Sequence, residues 1–405
     1  MPLAISKVSP PAPFEEPIED FDAPAAAEAL AGRLAASAVE RDRAGGHAAH
    51  EREWIRDSGL LALSVPREYG GIGADWSTVY QAVRIVARAD SALAHLLGFH
   101  HLQLAGLTLY GNARQQRRLY AETIAARHFW GNALNPLDKR LIATPSAGGW
   151  VLNGVKSFAS GSVGADRLTV SAWDPLAGAP LIGVLPARQA GIEVQADWDA
   201  FGQRQTDSGN VHFKDVLLPE EDVLRAPGKP ASAQATLRSQ VAQLVLVNLY
   251  LGLAEGALNA ARGYLREGAR PWIASGVAAA VDAPFIQHRF GQFHLLVRPA
   301  QVLADEAGRK LDAAWRRGAG LDAAGRGEVA VAVAEAKVLA HRAALDIGSQ
   351  LFELTGARST GAQYGFDRFW RNARVHTLHD PVDYKLRDLG RYALDGSLPE
   401  PTPYS

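Results

Sequence analysis

Apolar residues recur at helical spacing from about Pro24 to Ile124, in the Ala-rich runs PAAAEALAGRLAASAVERDRA, WSTVYQAVRIVARADSALAHLLGFHHLQLAGLTLY and ARQQRRLYAETIAA. Gly/Pro segments such as PREYGGIGA divide them, and Asn112 stands where it caps the last helix. The period changes near His128. Short β-branched runs follow (LTVSAW, LIGVLPA, IEVQADW, NVHFKDVLLP), separated by Gly, Asp and Pro, with an Asn153-Gly154 turn signal ahead of them. These predict a small β-barrel or sandwich. Helical spacing returns from about Ser232 to the end, in four or five long segments. The order predicts an α+β protein: a Pro-rich, acidic arm over 1–22, a helical domain over 23–127, a β-domain over 128–226 and a helical bundle over 227–405. No internal repeat is visible. The most apolar stretch, VAQLVLVNLYLGLAEGAL, is interrupted by Gln243 and Asn248 and reads as a buried core helix, short of the ~18 unbroken apolar residues of a membrane span.

Charge and composition narrow the class. Among 405 residues, 42 Lys and Arg face 43 Asp and Glu, a formal net charge of -1, which argues against a nucleic-acid or acidic-membrane surface. There is no Cys, so disulfides, thiolate metal sites and Cys nucleophiles are excluded. The first residues lack a basic segment followed by an apolar run, and the expected setting is the cytoplasm. The single Met would suit a protein exposed to peroxide, but the Ala, Arg and Gly bias explains the same depletion.

Several stretches, in collinear order over about residues 25–395, resemble the acyl-CoA dehydrogenase superfamily: VPREYGGIGADW, GGWVLNGVKSFASGS and FGQRQTDSGNVHFKDVLLPEEDVL. The resemblance implies a flavin held between the β-domain and the C-terminal bundle. Two departures matter. The segment NALNPLDKRLIATP lacks the Glu and the Ser-Asp that dehydrogenases carry there. The turn that usually bears their catalytic Glu reads Thr377-Leu378-His379-Asp380-Pro381. The alternative position for that base falls near Ala242, again without a carboxylate, and without one α-proton abstraction from an acyl thioester has no agent. FWRNARVHTLHDPVDYKLRDLGRY, HFWGNALNP and ARPW are similar instead to the reduced-flavin monooxygenase branch, with the dibenzothiophene and sulfone-utilisation monooxygenases. That branch implies reduced FMN, favoured over FAD, delivered by a separate NAD(P)H:flavin reductase. It implies oxygen addition through a flavin C4a-hydroperoxide, a small organosulfur or nitrogen substrate, and a homotetramer. A true acyl-CoA dehydrogenase and a non-catalytic flavin-binding protein are the alternatives.

The resemblance also assigns residues. His379 stands where the dehydrogenases place a glutamate. Asp380 and Pro381 read as the cap and first residue of a helix, which puts His379 before the positive end of a dipole that disfavours an imidazolium. A neutral His379 suits acid/base work; a core histidine, or a metal ligand in H-x-x-H-D, are the other readings. His376 is a neighbour of the flavin site. His95 matches a catalytic-site His, with Phe99 on its face at i, i+4, where the branch often has Tyr; His100 and His101 cannot both share that face. Asn132 and Ser160 match residues beside flavin and substrate, and Asn135 lies on a loop expected over 134–145. Phe158 is expected against the isoalloxazine ring, with Thr206 and Ser208 at its polar edge. Arg270, reaching across a subunit boundary, and Arg358 with Ser359 are expected at the FMN phosphate, since a guanidinium fork binds two oxygens at once. No metal is expected.

Overall fold

A computed structural model of the chain describes residues 21–228 and 231–405. Most of the expected arm lies outside them. Asp22 is described, and its carboxylate accepts from the Ala25 amide at 2.9 Å to start the first helix. Six helices come first: α1 (Ala23–Ala35), α2 (Ala38–Ala44), α3 (Ala49–Asp57), α4 (Trp76–Ala89), α5 (Ser91–Tyr110) and α6 (Ala113–Ala126). Eight strands follow: β1 (Trp130–Ala133), β2 (Ile142–Ser146), β3 (Gly149–Lys156), β4 (Arg167–Asp174), β5 (Ala179–Pro186), β6 (Ile192–Val194), β7 (Val211–Pro219) and β8 (Val223–Arg225). The chain ends in α7 (Leu237–Glu267), α8 (Pro284–Arg317), α9 (Ala323–Gln350), α10 (Phe352–Thr355), α11 (Asp367–Thr377) and α12 (Val382–Asp395).

Local chemistry explains the helix starts. Asp90 accepts from the Ala92 and Leu93 amides, each at 3.0 Å, and opens α5. Asn112 and Gln115 exchange side-chain and backbone bonds in a capping box that opens α6. From Ser91 to Leu107, α5 is buried on every side, so it has no polar face to display.

The β-region lies where it was expected and forms one eight-stranded mixed sheet, ordered β6-β7-β3-β2-β4-β5-β8, with β1 parallel to β4. It differs from expectation in two local features. The Asn153-Gly154 pair is not a hairpin turn: it lies inside β3, where the register against β7 shifts between Leu152 and Gly154. Gly154 has φ +134°, and a Cβ there would come within 2.0 Å of the Arg140 carbonyl oxygen, so glycine serves a bulge and a close approach. The turn is Ala147-Gly148, between the paired Ser146 and Gly149. Finally, residues 142–145 of the expected loop are strand β2, which leaves a shorter loop over 134–141.

The two helical blocks, separated in sequence by the sheet, share one core. Leu93 and Leu97 of α5 lie in the same buried cluster as Val245 and Leu249 of α7, while the sheet keeps its own core around Leu152, Leu168 and Val216. Among the described residues α7 is the one helix long and apolar enough to cross a membrane, and 94% of that window is buried inside the protein. Its polar Asn248 is satisfied by Arg84 at 2.9 Å. Helix α4 approaches α7 where side chains are absent: a Cβ on Gly252 would meet Ala87 Cβ at 2.5 Å, and one on Gly256 the Arg88 carbonyl at 2.3 Å and Phe369 of α11 at 2.9 Å. Overpacking at Gly256 would press on Phe369 of α11, which carries His376, whereas overpacking at Gly252 presses on α4. Gly252→Val is expected to lower stability by about 1–3 kcal/mol. Chemical denaturation checks this; an unchanged midpoint would mean that the α4–α7 crossing does not constrain the fold.

Candidate active site

Three histidines from two helices and a turn meet where the sheet joins the helical core. His95 on α5 is stacked on Phe99, ring centroids 3.9 Å apart, and its ring lies 4.8 Å from that of His376 on α11. His95 is buried, yet neither ring nitrogen has a hydrogen-bond partner among the described residues, and the same holds for Nδ1 of His376. A buried polar atom left unpaired is costly, and these three nitrogens are groups that a bound ligand would satisfy. Burial, with His376 and His379 nearby, pushes His95 well below the ordinary imidazole range. Burial, reinforced by His379 and Lys337, pushes His376 down to about 3. Both rings are therefore neutral in the folded protein. His100 and His101 are both structural: His100 Nδ1 accepts from the Trp130 amide at 3.2 Å and ties α5 to β1, while His101 bonds Ser64 and the Leu60 carbonyl.

His379 lies in the turn between α11 and α12, and the expected cap is overturned there. Helix α12 starts at Val382 with Pro381 as its N-cap and no side-chain cap bond. Asp380 turns inward instead. Its Oδ1 lies 3.0 Å from His379 Nδ1, 2.6 Å from Lys337 Nζ and 3.4 Å from Gln243 Nε2. Lys337 is 1% exposed and also donates to the Gln243 side-chain oxygen. Burial alone would raise the Asp380 carboxyl; the His379 hydrogen bond and the Lys337 ammonium outweigh it and hold the group well below the usual carboxylate range. Burial pushes Lys337 down, opposed by Asp380. The influence nearest His379 is thus a carboxylate rather than a helix end. The imidazole is 42% exposed at its open side, and Tyr404 packs against it edge-on at 5.5 Å.

The sheet contributes hydroxyls and an aromatic face. Ser160, Ser208 and Thr206 form a ladder with steps of 2.8 Å, closed by Thr206 donating to the Gln203 carbonyl at 3.0 Å. The Asn132 amide donates to the Ser160 carbonyl at 2.9 Å, which sets β1 beside the ladder. Phe158 has a left-handed backbone (φ +55°) and 70% of its surface exposed, an unusual position for a large apolar ring. An open aromatic face, a row of small hydroxyls and unpaired buried imidazole nitrogens fit a flavin ring and a reactant beside it.

Asn135 makes contacts within its own loop: its side-chain oxygen accepts from the Leu137 amide at 3.1 Å, and its carbonyl accepts from Lys156 Nζ at 2.8 Å. Arg270 follows α7 and Arg358 lies in the turn after α10, both exposed. Ser359 is buried, with its hydroxyl bonded to Thr355 at 2.6 Å and to the Gly356 carbonyl at 2.7 Å, so its hydroxyl is already engaged within its own turn. Lys337 and Tyr404 escaped the sequence reading. The signal for Lys337 was present: it is the one Lys in EVAVAVAEAKVLAHRAA, a run without a continuous polar face. Among the described residues no group of three His, Asp or Glu side chains is gathered for a metal ion.

A dehydrogenase-like scaffold with imidazoles where a free carboxylate base would stand defines a flavoprotein of the oxygenase kind. The profile described as "Acyl-CoA dehydrogenase, N-terminal domain" matches residues 23–127, and that of the C-terminal domain matches residues 244–384. The chain belongs to the acyl-CoA dehydrogenase family, in its branch of FMNH2-dependent monooxygenases. It is 44% identical over 382 residues to the "Probable FMNH2-dependent monooxygenase SfnC" of Pseudomonas putida, covering 94% of this chain and 97% of that one. The methanesulfinate monooxygenase MsuC of Pseudomonas fluorescens superposes with a TM-score of 0.93 at 44% identity, over 95% of this chain and all (100%) of that one. The FMN-bound TdsC of Paenibacillus sp. A11-2, a dibenzothiophene monooxygenase, gives 0.91 at 39% identity, over 95% of this chain and 100% of that one.

The neutral buried rings have a thermodynamic consequence. Unfolded, His376 titrates near its ordinary 6.5; folded, near 3. Between those values the unfolded chain binds more protons, so the stability is present above pH 6.5 and is lost as pH falls towards 3. The melting temperature is expected to decline over that window, and more shallowly in His376→Gln. An identical slope in the variant would show that His376 is already protonated in the fold.

Proposed function

We propose that the chain is the oxygenase of a two-component system, taking reduced FMN from a separate NAD(P)H:flavin reductase and oxygenating a small organosulfur substrate. The observation that carries this reading is the pair of neutral buried imidazoles with unpaired nitrogens beside the His379–Asp380 pair, while the one nearby carboxylate is committed to Lys337. A dehydrogenase needs that carboxylate free as a base. The relatives support the substrate class: they are named for methanesulfinate and dibenzothiophene.

When bound, reduced FMN supplies the activation of O2. The residues of this chain do the rest. Phe158, with its exposed ring, and the hydroxyls of Ser160, Thr206 and Ser208, with Asn132 beside them, would hold the flavin ring. Arg270 of a neighbouring subunit and Arg358 take the phosphate, which requires an assembly, here a homotetramer in the cytoplasm. His379 takes and returns a proton through Nε2, since Nδ1 is held by Asp380. His95 and His376 offer neutral nitrogens to the oxygen and the substrate, and Phe99 supplies an apolar wall. The loop over 134–141 is pinned by Lys156 donating to the carbonyls of Asn135 at 2.8 Å and Asp138 at 2.6 Å, and it excludes water from the reaction.

The test is a coupled assay with a flavin reductase, NADH, FMN and air against a panel of sulfides, sulfoxides and sulfinates. At least one is expected to be oxygenated, and His379→Ala is expected to lower kcat by about 10²-fold or more. Failure with every sulfur compound would end the substrate assignment. Purification with tightly held FAD, together with dye reduction by an acyl-CoA, would favour a dehydrogenase.

A further inference from the structure

Asp380 is an unusual partner for a working histidine because it is buried and shares one oxygen among three donors. Oδ1 alone receives His379 Nδ1, Lys337 Nζ and Gln243 Nε2. The state of this carboxyl decides which nitrogen of His379 carries the proton. A carboxylate can only accept, so Nδ1 must bear the hydrogen and Nε2 keeps its lone pair. A carboxyl protonated on Oδ1 donates to Nδ1, and the neutral ring then carries its hydrogen on Nε2.

We propose that Lys337 is the positioning residue that keeps His379 in its Nδ1–H tautomer, by holding Asp380 as a carboxylate acceptor. Besides His379 itself, the other groups facing this carboxyl are engaged elsewhere or uncharged, and Lys337 supplies the positive charge. Tyr250 of α7 donates to the His376 carbonyl at 3.0 Å, and Lys385 of α12 donates to the Tyr404 carbonyl. His341 and His376 are held below their ordinary range, chiefly by burial, and Tyr404 contributes a ring edge. Among the described residues Lys337 is the ammonium in hydrogen-bond contact with Asp380, and it is buried where α9 meets Gln243 of α7. Gln243 fixes the geometry by accepting from Lys337 and donating to Asp380 through one amide.

The inference rests on the reading of His379 as the acid/base, but the first readout is independent of turnover. Protein labelled with 15N-histidine, without flavin, reports which nitrogen of the neutral ring is protonated, and His379→Gln assigns the signal. Wild type is expected to show Nδ1–H. Lys337→Met is expected to lose it, as the buried carboxyl takes up a proton, and kcat is expected to fall by about 100-fold with little change in KM. The double variant Lys337→Met/Asp380→Asn carries no buried charge and keeps an amide oxygen as acceptor. It is expected to recover both the Nδ1–H signal and most of kcat, and it serves where Lys337→Met alone does not fold.

An unchanged Nδ1–H signal in Lys337→Met, or its loss in the double variant, would overturn the proposal and leave Lys337 a purely structural group. If the tautomer shifts as expected while His379→Ala turns over normally, Lys337 keeps its role and the acid/base reading of His379 fails.

Discussion

The site exists because one polar segment of the sheet domain is clamped from both helical blocks. Residues 203–208 carry two non-glycine residues in left-handed backbone, Gln203 (φ +54°) and Asp207 (φ +48°), a conformation that persists only when its surroundings enforce it. The enforcement is explicit. The Gln203 amide donates to Asn372 of α11 at 2.6 Å, and its side chain donates to Ser91 of α5 at 3.0 Å. Arg41 of α2 reaches Gln205 at 2.9 Å, and Arg52 of α3 reaches Asp207 at 3.1 Å, with His47 beside it at 2.7 Å. Thr206 lies between these anchors and Ser208 directly follows the last, so the hydroxyl ladder inherits its position from these five contacts. The same contacts hold α5 and α11 to the sheet, and those helices carry His95 and His376.

This arrangement divides the labour between polar and apolar surroundings. Burial without partners keeps His95 and His376 neutral, because desolvation disfavours the charged ring. Burial with partners does the opposite for Asp380, where Lys337 and His379 keep the carboxyl ionised. Neutral imidazoles stand on the helix side and a fixed acceptor stands under His379. A dehydrogenase would need that carboxylate at the substrate. Here it is withdrawn into the core and bonded to Lys337 and the His379 imidazole.

Much of the fold was legible. The switch from helical spacing to short β-branched runs and back marks the three regions, because apolar positions follow the period of each element. The collinear motifs placed Phe158, Ser160, Thr206 and Ser208 together before any coordinates. What escaped depends on distant pairing. Asp380-Pro381 has the local chemistry of a helix cap, but its carboxylate is claimed by Lys337, 43 positions away, and no local pattern contains that partner. Asn153-Gly154 reads as a turn because the dipeptide favours one, whereas the approach of the Arg140 carbonyl makes it a bulge. Arg52 looks like a solvated helix residue in AHEREWIRD, yet it is 1% exposed and serves the 203–208 clamp. Residues that work across a subunit boundary, as proposed for Arg270, leave no trace in a single chain beyond their exposure.

A monooxygenase of this branch transfers one atom of O2, with reduced FMN as the source of electrons. The most direct measurement is isotopic: turnover under 18O2 with reductase-supplied FMNH2 and a sulfinate or sulfide substrate, with the product read by mass spectrometry. One 18O per product oxygen gained is expected, and no label when 18O is supplied only as water. Label from water, or substrate oxidised without gain of oxygen, would contradict it.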